Sequence, residues 1–326
     1  MKTRLFERLA VAAVLVAAGW SSNDWAQTKT PRIGVLYIQP EEIARQWHEP
    51  FHRLLKSQGW TEGKNVAFVY ASAHGDPSRF AEGAAELVRL KVDVIFADSA
   101  PAVRAAHPAT RTIPIVGFDF TTDPVVAGYA ESYSRPGGNL TGVFLDAPDF
   151  AGKWIELLKT IVPGLSRVVI LRDPSPGEAH LRAVQSSARS FGLELEVLEV
   201  RKPEEIDRIG SAMRSRPQAL IVLPSPMLYA ESARLAKLAM KQRLPATSWV
   251  RRFAEAGGLV SYGPNQTSTY ERCAALVGRI LGGAAPADLP IERPDKFDLV
   301  VNLKTAKALN LTVPESVLAR ADKVIR

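Results

Sequence analysis

The segment Asp98-Ser99-Ala100-Pro101 joins an apolar strand over residues 94–97 to a helical pattern over residues 102–107. A turn at this position can hold a ligand. The first turn of a helix carries N–H groups without partners and the positive end of the dipole, which suit a phosphate, a carboxylate or a reaction intermediate with negative charge. The Asp98 carboxylate suits an ammonium group instead. We therefore expect Asp98, Ser99 and Ala100 to contact a ligand.

Polar and aromatic side chains also occupy the ends of other predicted strands. Ligands of open parallel sheets bind beyond the carboxyl ends of the strands, so residues at these ends are candidates. Asp119 ends a strand without an evident capping role, and its carboxylate can receive an ammonium group. Aromatic rings near strand ends can stack on a planar ligand. The further predicted contacts are Gln39, Asp119, Arg172, Ser225, Trp249 and Tyr262.

Other chemistry has little support in the sequence. Glycine-rich phosphate loops and the G-x-S-x-G nucleophile motif are both missing, so we expect neither a cofactor nor catalysis. His48 and His52 share a helix face, but a metal site needs a third ligand, and we expect a solvated helix start and no metal. Cys273 is the only cysteine, which excludes an intrachain disulfide, and its helical spacing with Leu276 predicts a core position.

The elements that would position these residues repeat along the chain. Strands that are apolar throughout alternate with helices, which is typical of a parallel sheet covered on both faces. The first run has strands at 32–38, 65–71, 94–97 and 114–118 and helices at 41–58, 80–90 and 102–107. After a break at 132–144, the second run has strands at 167–171, 193–200, 219–224 and 246–250 and helices at 150–161, 178–191, 203–214 and 229–242.

Two runs of this kind predict two α/β lobes with a ligand cleft between them. Residues 257–263 and 296–303 form strand patterns outside both runs, and we expect them to be additional crossovers between the lobes. Together with the break after the first run, they predict a three-segment hinge.

The N-terminus has the pattern of a secretory signal peptide. Lys2, Arg4 and Arg8 precede an apolar run over 9–19, which is too short to span a bilayer. We predict a signal peptide over residues 1–26, and hence a periplasmic protein. The formal net charge of the whole chain is +7, and its positive residues are scattered, which argues against nucleic-acid binding.

Several longer segments carry a family resemblance. They include "SRPGGNLTGV", "RLPATSWVRRFAEAGGLVSYGPN" and the tail "NLKTAKALNLTVPESVLARADKVI". Through these segments, residues 31–326 resemble the substrate-binding proteins of ABC transporters, in the tryptophan/tyrosine-binding-like group. The resemblance implies the type I periplasmic binding protein fold, which has two Rossmann-like lobes with parallel sheets and a three-segment hinge. We expect one lobe over 27–142 and 262–291, and the other over 143–261 and 292–326.

The resemblance also implies a function. Such a protein is a non-catalytic receptor that closes on a small organic ligand and delivers it to an ABC permease with its ATPase, and we expect a monomer. In amino-acid-binding members, the turn matching residues 99–103 holds the ligand carboxylate with a Thr hydroxyl and backbone N–H groups. Ala100 stands here where those members have the Thr. Two alternatives stay open, a ligand-presenting partner of a membrane sensor kinase and an enzyme on a doubly wound α/β fold.

Overall fold

The computed structural model describes residues 29–39, 44, 45, 48–145 and 148–326, and these form two α/β lobes. The predicted signal peptide and part of the predicted first helix lie outside the described residues. Among the residues that are described, no helix is both long and apolar enough to cross a membrane.

The first lobe is built on a five-stranded parallel sheet with the order β2-β1-β3-β4-β5. Its central strands are buried along their whole length, as the continuous apolar pattern predicted. The strands are β1 (Arg32–Tyr37), β2 (Ala67–Ser72), β3 (Val94–Ala97), β4 (Ile115–Asp119) and β5 (Leu140–Phe144). The helices are α1 (Glu49–Ser57), α2 (Phe80–Arg89) and α3 (Ala100–Ala109).

The second lobe contains a seven-stranded sheet with the order β12-β11-β10-β9-β8-β6-β7. The strands are β6 (Arg167–Arg172), β7 (Glu194–Glu199), β8 (Ala219–Val222), β9 (Ala246–Ser248), β10 (Val260–Pro264), β11 (Phe297–Asn302) and β12 (Lys323–Ile325). The helices are α4 (Pro148–Ile161), α5 (Ala179–Ser190), α6 (Ile209–Ala212), α7 (Pro226–Ala230), α8 (Ser232–Lys241), α9 (Arg251–Glu255), α11 (Leu303–Ala308) and α12 (Glu315–Leu318). The remaining helix, α10 (Gln266–Leu281), returns to the first lobe and packs on β3, β4 and β5.

The expectation that the two late strand patterns are crossovers is wrong. They are β10 and β11, which lie side by side as the antiparallel pair of the second sheet. The chain instead passes between the lobes after β5, between β10 and α10, and before β11. An apolar pattern identifies a strand but not its pairing partner, which is why the pattern misplaced these crossings. The predicted lobe boundaries at 142/143 and 261/262 lie inside β5 and β10.

Two predicted helices also differ. The region predicted as one helix over 203–214 is a 3₁₀ helix (Pro203–Arg208) followed by the short α6. The helix predicted over 229–242 is divided into α7 and α8, and α7 begins early because Ser225 caps it and Pro226 occupies its first turn.

The pairing of β4 with β5 depends on two glycines that face each other. Gly142 has a φ of 149°, and it pairs with Gly117 in the sheet. A Cβ atom at Gly142 would overlap the carbonyl oxygen of Gly117 and lie 2.6 Å from its nitrogen. Because both atoms belong to the backbone of β4, no side-chain movement can relieve the overlap.

Gly142→Ala should therefore lower the free energy of unfolding by about 3 kcal/mol, through overpacking and backbone strain together. Gly164→Ala is the matched control, since its φ is also positive but no atom lies within 4 Å of its Cβ position. That control should cost only about 1 kcal/mol. Urea unfolding measures both values, and equal losses would contradict the role of the close approach.

Candidate functional site

A cavity lies between the two lobes, where the carboxyl ends of the strands of both sheets meet. Its space, counted together with the open mouth, is about 540 Å³. Six of the nine predicted contacts line it, namely Gln39, Asp98, Ser99, Ala100, Ser225 and Trp249. The structure therefore brings these residues together from both lobes, and their role as ligand contacts stays a prediction.

Five aromatic side chains form a continuous belt around the cavity, and they are Tyr270, Phe118, Phe120, Trp249 and Tyr229. Successive ring centroids lie 5.0, 4.6, 5.9 and 6.1 Å apart in that order. The contact between Phe120 and Trp249 crosses from the first lobe to the second. Such a belt offers an apolar slot of fixed shape to a planar ligand.

The Asp98 carboxylate supplies negative charge to the cavity wall. His48 Nε2 lies 2.8 Å from Asp98 Oδ2, and the Tyr270 hydroxyl donates to both carboxylate oxygens at 3.1 Å. Burial and the nearby Asp98 charge raise the pKa of Tyr270 well above its ordinary value, so the phenol keeps the proton that it donates. These contacts come from α10 and from the residue before α1, and they fix Asp98 in place.

The turn that follows β3 presents the start of α3 to the cavity. Ser99 is the N-cap, and its hydroxyl oxygen accepts from the Ala102 N–H at 3.4 Å. The helix begins at Ala100, two residues earlier than predicted, with Pro101 in its first turn. The amide of Ala100 and the positive end of the helix dipole therefore lie at the cavity wall.

Gln39 and Ser225 differ in what they offer a ligand. The Gln39 side-chain oxygen is buried and accepts no hydrogen bond from the described residues, so it can receive one from a ligand donor. The Ser225 hydroxyl is already committed, because it donates to Asp173 at 2.6 Å and accepts from the first N–H groups of α7. Ser225 therefore shapes the wall and holds the loop after β6.

The other three predicted contacts do not line the cavity. Asp119 is fully buried and accepts from the N–H and hydroxyl of Thr121 at 2.7 and 2.9 Å, and burial raises its pKa. Arg172 forms a forked pair with Glu178. Tyr262 stacks on Phe297, with 5.6 Å between the ring centroids.

Asp119 shows why a strand-end prediction can fail by one residue. Successive side chains of a strand alternate between faces, and it is Phe118 and Phe120, on either side of Asp119, that line the cavity. This alternation was the available signal for both phenylalanines. Tyr270 had no comparable signal, because it arrives from α10, far along the chain.

A second histidine, His52, lies one helical turn after His48. His52 Nε2 is 3.1 Å from the Tyr70 hydroxyl, and the His52 ring stacks on Phe68. Burial, then the nearby His48 and Arg45, lower the pKa of His52 to about 4. The expected solvated helix start is therefore wrong for both histidines, since His48 is buried and His52 partly so. Within the described ranges, no three metal-ligating side chains are grouped together.

Comparison with known proteins gives a consistent result. A family model described as ABC transporter substrate binding protein matches residues 40–325. A conserved domain protein from Vibrio cholerae has 27% identity and a TM-score of 0.83, covering 91% of this chain and all of that one. An ABC domain from Streptococcus pneumonia in complex with L-Trp has 26% identity and a TM-score of 0.82 over the same shares. A tyrosine-binding protein of Clostridioides difficile is 24% identical, over 95% of this chain and 94% of the relative.

The lowered pKa of His52 predicts a pH-dependent stability. The His52 imidazole takes up a proton near pH 6.5 in the unfolded chain but only near pH 4 in the folded chain. The contribution of neutral His52 to the free energy of unfolding is therefore complete above pH 6.5 and is lost as the pH falls towards 4. Between pH 7 and pH 5, His52 should account for a loss of about 2 kcal/mol in the free energy of unfolding. His52→Gln keeps a partner for Tyr70 without titrating. Urea unfolding of both proteins at the two pH values should show a smaller loss for the variant, whereas equal losses would refute the assignment.

Proposed function

Because the chain belongs to the ABC transporter substrate-binding protein family, we propose that it is a non-catalytic receptor which closes its lobes on one small organic ligand. The observation that carries this proposal is the cavity between the lobes, whose aromatic belt draws side chains from both. A ligand that touches both lobes stabilises the closed arrangement, which a membrane partner can then recognise.

The ligand that fits this cavity best is an aromatic amino acid or a close analogue. The belt favours a planar ring, while the Asp98 carboxylate and the Gln39 oxygen favour a donor such as an ammonium group. The start of α3 favours a carboxylate through the Ala100 amide and the helix dipole. The L-Trp complex of the streptococcal domain and the name of the clostridial tyrosine-binding protein support the same ligand class.

The loss of the Thr hydroxyl at Ala100 alters how a carboxylate would be held. The Ser99 hydroxyl is one residue earlier and serves as the cap of α3, so backbone N–H groups would provide most of the contacts. We propose that this difference adjusts the geometry of the site and leaves the class of ligand unchanged.

This role implies a cellular location and a membrane partner. We propose that residues 1–26 direct the chain to the periplasm, where it acts as a monomer and delivers its ligand to an ABC permease with its ATPase. The basic start and short apolar run of the sequence support this location.

Three aromatic amino acids and one deaminated analogue test the proposed ligand class and the role of Asp98. Isothermal titration of residues 27–326 with L-tryptophan, L-tyrosine and L-phenylalanine should show binding, and with indole-3-propionate, which lacks the amine, much weaker binding. Asp98→Asn should weaken binding of the amino acids by about 10- to 100-fold and leave the deaminated probe nearly unchanged. Binding of xylose or leucine in preference to every aromatic probe would contradict the proposal.

The role of the belt is tested by two aromatic residues in different positions. Trp249 lines the cavity, whereas Tyr262 stacks on Phe297 elsewhere in the second lobe. Trp249→Ala should weaken binding of the best aromatic probe at least about tenfold, because it removes a stacking surface. Tyr262→Ala should leave that affinity unchanged. The same titrations decide the matter, and an equal effect of the two substitutions would contradict the assignment.

A further inference from the structure

Arg104 connects α3 of the first lobe to the second lobe through two hydrogen bonds. Its guanidinium donates from Nη2 to the carbonyl of Ser175 at 2.5 Å and from Nη1 to the carbonyl of Pro176 at 3.2 Å. Both acceptors lie in the loop between β6 and α5. Pro176 lines the cavity, and Arg104 lies one helical turn beyond the cavity residue Ala100.

The acceptor loop is held in shape by the second lobe itself. Asp173 accepts from the N–H and the hydroxyl of Ser175 at 2.8 Å each, and it also accepts from the Ser225 hydroxyl at 2.6 Å. Arg172 and Glu178 form a forked pair that brackets the two ends of the loop, at 2.8 and 2.5 Å. The two carbonyls are therefore in position before Arg104 reaches them.

The chemistry of the contact suits arginine in particular. Its planar fork presents two N–H donors to two adjacent acceptors, and charge makes each hydrogen bond stronger than a neutral one. A lysine has a single point of charge and cannot reproduce the paired geometry. Since the acceptors are backbone carbonyls, only a change at Arg104 removes the contact cleanly.

We propose that Arg104 is a latch between the lobes, which holds Pro176 over the cavity and keeps a closed population present before any ligand binds. Part of the binding site is then already assembled when a ligand arrives. The apparent affinity for the ligand rises with the fraction of protein that is in the conformation able to bind it. Arg172 and Ser225, which sequence analysis placed among the ligand contacts, serve this latch by fixing the loop that accepts it. The latch acts whichever small molecule the cavity takes.

Distance measurement by double electron–electron resonance tests the latch without a ligand. Nitroxide labels at Arg79→Cys and Glu204→Cys report on the separation of the lobes, since both positions are exposed and flank the groove that Gly75 and Pro77 share with Arg201. Cys273 is fully buried and burial raises the pKa of its thiol, so it resists labelling. The mature chain is refolded from guanidinium chloride beforehand to remove any carried-over molecule.

The doubly labelled wild type should contain a short-distance population, and Arg104→Ala should reduce the ratio of closed to open protein about tenfold. Arg104→Lys should give an intermediate ratio. Arg111→Ala is the matched control, because it removes the same charge from a residue that contacts His107 within the first lobe, and it should match the wild type.

Two results would overturn the proposal, a wild type that is entirely open without ligand, or the same distance distribution in wild type and Arg104→Ala. Circular dichroism confirms that each variant is folded. Should Arg104→Ala fail to fold, Arg104→Lys carries the test, and a distribution identical to the wild type would reject the latch. Because no ligand is present, neither result bears on the proposed ligand class.

Discussion

The direction of the parallel strands is the constraint on which the rest of the molecule depends. Every parallel strand in a sheet delivers its carboxyl end to the same edge, and the two lobes turn those edges towards each other. Residues after β1, β3 and β4 therefore meet residues after β8 and β9 in one cavity. The chain crosses between the lobes in three connecting segments outside the sheets, so the two sheet edges can face each other while both sheets stay intact. A cavity between the lobes is the geometric result of this arrangement.

Among the described residues that line this cavity, mostly apolar side chains surround one carboxylate, that of Asp98. Burying a carboxylate is costly unless hydrogen-bond donors compensate for the lost water. The Asp98 carboxylate has such partners in the His48 ring and the Tyr270 hydroxyl. The aromatic belt lines the same cavity, and apolar surroundings strengthen any charge pairing that a ligand makes with Asp98. An aromatic ligand with an ammonium group would thus gain both from stacking and from a carboxylate that is already fixed in place.

The elements near the site could be predicted because their signals are local. Four apolar residues followed by a capping serine and a proline placed β3, the turn and α3 within two residues of their observed positions. Longer-range features could not be predicted in this way. Tyr270 reaches Asp98 across 172 residues of sequence, and no local pattern encodes that contact. The pairing of β10 with β11 and the inward turn of Asp119 were missed because a sequence pattern shows which residues are apolar but not which strand or face they meet.

We propose that the cleft between the lobes holds one aromatic ligand that carries an amine. Native mass spectrometry of the protein, purified from its host with no ligand added, is the sharpest test of this proposal. We expect one small molecule per chain, released on unfolding, whose fragments contain an aromatic ring and an amine. A chain that carries a sugar or an aliphatic acid in that position would contradict it.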